Sequence, residues 1–294
     1  MDQSNFESDR SKNCVLESSI SERLKNEPCW LGIDEAGRGP VLGPLVYGIC
    51  FSPVAEKDKF KEMGFADSKT LTEEQREGIF EKVCDNLDLM GWMVEILSPA
   101  FISRSMLRRA KYNLNALSHD CAIGLVKRAL EKGVNVTEVY VDTVGDPGKY
   151  QDKLKDIFPS IDITVAKKAD ALYPIVARDR AVKGWQFAEG ITIEDNNFGS
   201  GYPGDPATKR FLAENIDPVF GFPDFVRFSW STAAQILERE AAAVAWEDDD
   251  EDDNSQSSSG SASLLQFFKK TGEDTKLQKH RFFTDRSLAP LSTL

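Results

Sequence analysis

The sequence has only two histidines, His119 and His280, among its 294 residues. A Ser-His-Asp triad, a Cys-His dyad or a histidine-rich zinc site would have to use one of these two side chains. The scarcity of histidine therefore argues against those chemistries. It favours a site built from carboxylates, which are abundant in this chain.

Long apolar runs are also missing. No stretch of about 18 apolar residues occurs, so the sequence predicts no membrane span. The N-terminus, MDQSNFESDRSKNC, lacks the basic and then apolar pattern of a secretory signal. The five cysteines are widely spaced and form no Cys-x-x-Cys pair, which predicts neither a zinc site nor a disulfide framework. A reducing, intracellular compartment is the simplest interpretation.

Basic residues are fewer than acidic ones, 36 against 48, which gives a formal net charge of −12. The stretch EDDDEDD at 247–253 concentrates acids, and the residues after it are slightly basic. The chain before residue 247 is still acidic, which argues against a generic nucleic-acid binder. A polyanion would have to be bound through local basic patches, through metal ions or with partners that add positive surface.

Hydrophobic periodicity predicts an α/β protein. Strands come first in succession and then alternate with helices, an order typical of a mixed sheet covered by helices. Thr72 with Gln75 forms a capping box that marks the start of one helix. Strands are predicted at 29–34, 42–51, 89–97, 136–143 and 161–170, and helices at 73–86, 112–132, 146–158, 172–188 and 228–246.

Acidic residues stand where three predicted strands end. Asp34 and Glu35 follow WLGI, Asp142 follows VYV, and Asp170 follows ITVAKKA. If these strands are neighbours in one sheet, the four carboxylates converge and need a cation to stay ionised together. Oxygen ligands suit Mg²⁺ or Mn²⁺, and two such ions about 4 Å apart support phosphoryl transfer. The pattern indicates metal-dependent phosphodiester chemistry; the alternative is that each aspartate caps a helix or forms a turn.

Seven longer motifs resemble the type 2 ribonuclease H (ribonuclease HII) family, in particular its eukaryotic catalytic A subunits. They are GIDEAGRGPVLGPLV, ADSKTLTEEQRE, KYNLNALSHD, VYVDTVG, AKKADALYP, FGSGYPGDP and FGFPDFVRFSW. The resemblance implies a ribonuclease H-like fold, with a mixed five-stranded sheet flanked by helices and a helical C-terminal extension. It also implies an endonuclease that hydrolyses the RNA strand of RNA–DNA hybrids and incises 5′ of single ribonucleotides in duplex DNA.

The resemblance assigns the metal-binding role to four residues by motif position. Asp34, Glu35, Asp142 and Asp170 match the catalytic carboxylates that hold Mg²⁺ or Mn²⁺ in the family. His119 lies within KYNLNALSHD, and we interpret it as a packed or surface residue of the predicted helix at 112–132.

Contacts to the nucleic acid are implied in the same way. Gly37, Arg38 and Gly39 match the loop that contacts the ribose 2′-hydroxyl and the scissile phosphate. Tyr202 matches the tyrosine that packs on the sugar at the RNA-to-DNA junction, and Ser68 and Lys69 match contacts to the nucleic-acid backbone. Taken alone, the GRG sequence would be an ordinary hairpin turn, and Ser68 and Lys69 would belong to a solvated loop.

Organisation and partners also follow from the resemblance. It implies assembly with two non-catalytic subunits, B and C, and work in the nucleus, with no membrane association. In the tail, Leu264, Phe267 and Phe268 resemble a peptide that binds a sliding clamp; a chance apolar cluster or a segment docking on a partner protein is the alternative. The expected divisions are a flexible lead at 1–27, a catalytic domain at 28–215, a helical extension at 216–246 and an acidic, Ser-rich disordered tail at 247–294.

The chain departs from the family pattern after AKKADALYPIV. Relatives carry a Ser/Ala-rich stretch with a lysine there, whereas Val176 is followed at once by Ala177-Arg178-Asp179. About nine residues, or two and a half helical turns, are absent. Loss of a non-integral number of turns would rotate the residues that follow. One alternative function is therefore a catalytically impaired nucleic-acid-binding or scaffold isoform. Another is a different metal-dependent phosphotransferase, such as an exonuclease that releases mononucleotides from ends.

Overall fold

The computed structural model describes residues 2–57, 59, 72–110, 112–165, 173–187, 189 and 198–242. The strands are β1 (Cys14–Glu17), β2 (Cys29–Ala36), β3 (Leu45–Pro53), β4 (Gly91–Leu97), β5 (Val136–Val141) and β6 (Asp162–Val165). The helices are α1 (Ser4–Ser8), α2 (Glu22–Asn26), α3 (Glu73–Cys84), α4 (Pro99–Met106), α5 (Leu114–Glu131), α6 (Pro147–Ile157), α7 (Tyr173–Lys183), α8 (Pro206–Glu214) and α9 (Ser231–Glu240). None of the helices in these ranges has the length and apolar character needed to cross a membrane.

The six strands form one mixed sheet in the order β1-β4-β3-β2-β5-β6. The first four pair antiparallel, whereas β2, β5 and β6 pair parallel. Every residue of β3 is buried, as expected for a strand covered on both faces. The predicted α/β class, a mixed sheet flanked by helices, is confirmed.

The N-terminal segment supplies a strand that the sequence does not predict. Five strands are expected, and the sixth is β1, which pairs with β4 so that Cys14 lies opposite Ile96. Phe6 and Leu24, from the two flanking helices, are buried in the core. The expectation of a flexible lead at 1–27 is therefore wrong, because this segment extends the sheet and contributes apolar side chains to it.

Two hydrophobic cores cover the two faces of the sheet. Alternation along β3 directs Tyr47 and Phe51 to one core and Val46 and Cys50 to the other. Helices α5 and α6 cover the first core, and α3, α7, α8 and α9 contribute to the second. The carboxyl ends of β2 and β5 thus lie at one edge of a sheet supported from both sides.

Several element boundaries differ from the predicted ones. The capping box at the start of α3 is confirmed, since the Thr72 side chain accepts from the Gln75 amide and the Gln75 side chain accepts from the Thr72 amide. Helix α9 is shorter than the predicted 228–246, because Trp230 and Ala241 at its two ends have extended backbone. Strand β6 ends at Val165, and the rest of the predicted strand, 166–170, lies outside the described residues.

Helix α7 runs through the point where the sequence departs from the family pattern. Val176 and Ala177 are both buried, and α7 packs against β2, β3 and β4. Just after them, Asp179 accepts from Arg76 Nη2 of α3 at 2.7 Å. The shortened segment therefore still forms a helix with an apolar face directed at the sheet.

Candidate active site

Three of the predicted carboxylates meet where β2 and β5 lie side by side. Ile33 pairs with Val141 in the parallel register, and the Asp142 amide donates to the Ile33 carbonyl at 3.2 Å. Carboxylate oxygens of Asp34, Glu35 and Asp142 all lie within 4.8 Å of one another. The predicted convergence is therefore observed for these three residues.

The backbone orients two of these side chains. Asp34 Oδ1 accepts from the Glu35 amide at 2.7 Å, and Asp142 Oδ1 accepts from the Thr143 amide at 2.8 Å. Asp34 and Glu35 lie within β2 rather than after it, and Asp146, not Asp142, caps α6. The alternative that Asp34 and Asp142 are helix caps is therefore wrong.

The three carboxylates have the chemistry of a divalent-cation site. Asp34 is only 8% exposed, so its charge has little water to solvate it. Hard oxygen donors at this spacing fit Mg²⁺ or Mn²⁺, which bind a few carboxylates and retain waters. The residues present therefore fit the expected metal, and Asp34, Glu35 and Asp142 would hold it.

Tyr47 lies directly beside this cluster in the sheet. It is the cross-strand partner of Glu35 on β3 and is almost fully buried. Burial, and then the charge of Glu35, raise the pKa of Tyr47 well above its usual value. The phenol therefore remains neutral at physiological pH.

The GRG turn, Gly37 to Gly39, follows the carboxylates and is fixed from a distant part of the chain. Arg227 is fully buried, and its guanidinium donates to the carbonyls of Gly37 at 2.6 Å, Gly43 at 2.8 Å and Arg38 at 3.3 Å. Trp230 Nε1 donates to the Gly39 carbonyl at 3.1 Å. These bonds hold the backbone of the turn at the edge of the carboxylate cluster.

Two further side chains lie against this turn. Gly37 has φ of +80°, and its open side faces the Arg178 side chain. Gly39 faces the Tyr202 ring, which would lie 3.1 Å from a Cβ at that position. Tyr202 is 54% exposed, so part of its side chain is available to a ligand. The glycines thus permit contacts that a side chain would block.

A groove of about 500 Å³ opens beside the turn. Its walls come from β2, the GRG turn, α4, α5 and the start of α9. The lining residues are Glu35, Arg38, Gly39, Met106, Leu114, Ser229, Trp230 and Ser231. The groove meets the carboxylate cluster at Glu35 and is open to solvent.

Other predicted site residues lie outside the described part of the chain. These are Asp170, Ser68, Lys69 and the tail residues Leu264, Phe267 and Phe268.

Conversely, sequence reasoning assigns no role to Arg227 or Trp230, although both belong to the motif FGFPDFVRFSW. Burial lowers the pKa of Arg227 to about 9, so the side chain is still a cation at neutral pH.

Comparisons with known proteins agree on one family. The family model described as ribonuclease HII matches residues 31–233. The mouse protein named as the A subunit of ribonuclease H2 is 48% identical over 304 residues, covering all of both chains. That alignment is ten positions longer than the present chain.

Two solved structures extend the likeness to the fold. Ribonuclease H2 from Pyrococcus horikoshii OT3 is 32% identical with a TM-score of 0.59, covering 72% of this chain and 98% of that one. Ribonuclease HII from Archaeoglobus fulgidus, solved in complex with PCNA, is 27% identical with a TM-score of 0.51, covering 63% of this chain and 85% of that one.

Proposed function

Because the chain belongs to the ribonuclease HII family and is a hydrolytic endoribonuclease, we propose that it cuts the RNA strand of RNA–DNA hybrids and incises 5′ of single ribonucleotides in duplex DNA. The observation that carries the proposal is the convergence of Asp34, Glu35 and Asp142 beside the GRG turn. A metal-binding acidic cluster next to a glycine-rich backbone suits hydrolysis at a nucleotide held by its sugar and phosphate.

The carboxylates act in this proposal as the metal ligands. Asp34, Glu35 and Asp142 hold Mg²⁺ or Mn²⁺, and Asp170 is the fourth ligand by family position. A pair of bound ions would supply an activated water and stabilise the charge that develops on the leaving oxygen. The protein contributes orientation, since backbone amides fix the rotamers of Asp34 and Asp142.

Selection of RNA falls to the GRG turn and Tyr202. Backbone groups of the turn can approach a ribose closely because Gly37 and Gly39 carry no side chain, and a 2′-hydroxyl both donates and accepts hydrogen bonds. The half-exposed Tyr202 ring offers a flat surface for the neighbouring sugar. Arg38 supplies a cation for a phosphate, with Ser68 and Lys69 as further backbone contacts.

Partner proteins would complete the positive surface that the acidic chain lacks. We expect a heterotrimer with subunits B and C in the nucleus; the relatives are named as one subunit of ribonuclease H2, which supports assembly into a larger complex. Binding of a sliding clamp through Leu264, Phe267 and Phe268 is supported by the complex of the Archaeoglobus fulgidus relative with PCNA.

A catalytically impaired isoform is the second candidate. The observation that favours it is the mouse alignment, which is longer than this chain by ten positions, together with the direct junction of Val176 and Ala177. Such a chain would bind the hybrid without cutting it. An exonuclease, the third class, would release mononucleotides from ends and would leave the GRG turn and Tyr202 without a role.

The test uses the full chain, co-expressed with subunits B and C, on an end-labelled DNA duplex carrying one internal ribonucleotide, with Mg²⁺. We expect one nick 5′ of the ribonucleotide, lost in Asp34→Asn and retained in Asp152→Asn, a matched change at an exposed position on α6. Intact DNA with folded, hybrid-binding protein would support the impaired isoform. Mononucleotide products would support the exonuclease.

A further inference from the structure

Helix α5 carries a polar stripe on the side that faces the active-site loops. Asn115, Ser118 and His119 stand at the i, i+3 and i+4 positions that share one helix face. The apolar side chains Leu117 and Cys121 of the same helix belong to the core. The hydrogen-bond partners of Asn115 and His119 lie on the active-site loops.

His119 contacts the turn that follows Asp142. Its Nε2 atom lies 3.1 Å from the carbonyl oxygen of Val144. A carbonyl only accepts hydrogen bonds, so the ring nitrogen must be the donor. The imidazole is stacked on the buried Tyr150 ring, with 3.8 Å between ring centroids and 7° between ring planes. The ring is therefore fixed by α6 while its N–H fixes a backbone group two residues beyond a metal ligand.

Asn115 bonds to the GRG turn and lies beside the turn that follows Asp142. Its Oδ1 atom accepts from Arg38 Nη2. Its Nδ2 atom lies 3.3 Å from where a Cβ on Gly145 would stand, and Gly145 has φ of +76°. One side chain at the start of α5 therefore bonds to the arginine of the GRG turn and lies beside the turn after Asp142.

We propose that His119 and Asn115 are positioning residues through which α5 holds the Asp142 carboxylate and the Arg38 guanidinium in fixed relation. His119 sets the turn that carries a metal ligand, and Asn115 sets the cation that meets the nucleic acid. The expected effect on substrate binding rests on the proposed function, whereas the expected effect on metal binding does not. It gives the two residues separable effects: His119 acts on metal affinity and Asn115 on substrate affinity.

The first experiment measures Mn²⁺ binding by calorimetry, without nucleic acid, on the full-length complex. His119→Phe keeps a ring to stack on Tyr150 and loses the N–H donor. His119→Gln keeps a donor and loses the ring. We expect His119→Phe to weaken Mn²⁺ binding by about tenfold, in line with other groups that orient metal ligands, and His119→Gln to bind within about twofold of the original. Equal binding by His119→Phe and the original would overturn the role of His119, as would losses that track Tm in both variants.

The second experiment measures hybrid cleavage at saturating metal. Asn115→Ala is expected to raise KM for the hybrid severalfold and to leave Mn²⁺ affinity unchanged. Lys127→Ala, at an exposed position further along α5, is the matched control and should leave KM unchanged. An unchanged KM in Asn115→Ala would overturn the role of Asn115. If the original complex binds Mn²⁺ but cuts no hybrid, the proposed function fails, while the metal-binding comparison still decides the role of His119.

Discussion

Arg227 Nη2 lies 2.6 Å from the Gly37 carbonyl oxygen, which joins two residues 190 positions apart in the chain. The arginine is fully buried. Within the part of the chain that the structure describes, its guanidinium donates to backbone carbonyls only. A planar guanidinium can serve three carbonyls in different directions, whereas an ammonium group is a point donor. The geometry of the GRG turn therefore depends on an arginine near the end of the described chain.

Arg227→Lys should keep the charge and lose this geometry. We expect a loss of about 2–3 kcal/mol in the free energy of unfolding, because buried carbonyls lose their donors, and a higher KM for the hybrid. Urea denaturation and steady-state cleavage measure the two effects. Arg239→Lys, at an exposed position on α9, is the control, and matching midpoints for the two variants would contradict the anchoring role.

Gly37→Ala tests the close approach at the turn. The new Cβ would lie 2.7 Å from the Pro44 carbonyl oxygen and closer still to Arg178 Nε, and φ of +80° is unfavourable for alanine. We expect kcat/KM for the hybrid to fall at least about tenfold, since the backbone must shift by a distance that matters for catalysis. Gly78→Ala on α3, where a Cβ meets nothing within 4 Å, should be neutral or stabilising by about 0.5–1 kcal/mol. Similar activity in both variants would contradict the prediction.

Asp224→Asn tests a half-buried carboxylate beside Trp185. Burial, and then the charge of Glu189, raise the pKa of Asp224 from 3.8 to about 6. The folded state therefore binds more protons between those pH values, and the stability this group contributes at low pH is lost as pH rises through 6. We expect the variant to be more stable at pH 7, by about 1 kcal/mol after allowance for partial exposure. The introduced amide oxygen can still accept from Trp185 Nε1, as the Asp224 carboxylate does at 3.3 Å.

The measurement for Asp224 is the urea midpoint of both proteins across this pH range. The difference between them should grow from about pH 4 to pH 6 and then stay constant. Asp152→Asn, on the exposed side of α6, controls for the loss of one charge. A constant difference over the whole range would show that ionisation of Asp224 is not coupled to folding.

Insertion of the missing segment after Val176 tests the departure from the family pattern. The inserted residues would come from the mouse relative, and we expect the lengthened chain to be more stable, because about nine more residues would add about two and a half turns to α7. Denaturant midpoints of the two chains measure this directly. Equal midpoints would mean that the packing of Val176 and Ala177 seen here fully replaces the longer helix.

Sequence patterns locate the elements that depend on local chemistry. The capping box of Thr72 and Gln75 is predictable because its two partners are three residues apart. The meeting of Asp34 with Asp142 is also predictable, because parallel neighbouring strands end at the same edge of a sheet. Each of these inferences needs only spacing along the chain and one topological rule.

The remaining features depend on contacts that spacing does not encode. Strand β1 has only four residues, Cys-Val-Leu-Glu, and all four are partly buried. Its sequence therefore has no alternation of apolar and polar residues that would predict a strand. From sequence alone, Arg227 would be expected at the surface, since a fully buried arginine is rare. The bond of His119 to Val144 follows from how α5 is placed over the turn after β5, which the pattern of a packed or surface histidine does not specify. Such contacts require the assembled sheet.

The short strand β1 has a consequence for the solubility of the protein. It covers the outer edge of β4 and is itself brief and charged, since Glu17 accepts from Arg128 at 2.8 Å and from Lys132 at 2.6 Å. Short strands bearing charge are the kind of edge that resists pairing with another molecule. A chain that begins at residue 28 would lack β1. Strand β4, which is longer and almost wholly buried, would then be the new edge of the sheet. Trimming the first 27 residues would therefore leave a protein prone to aggregate through strand-to-strand association.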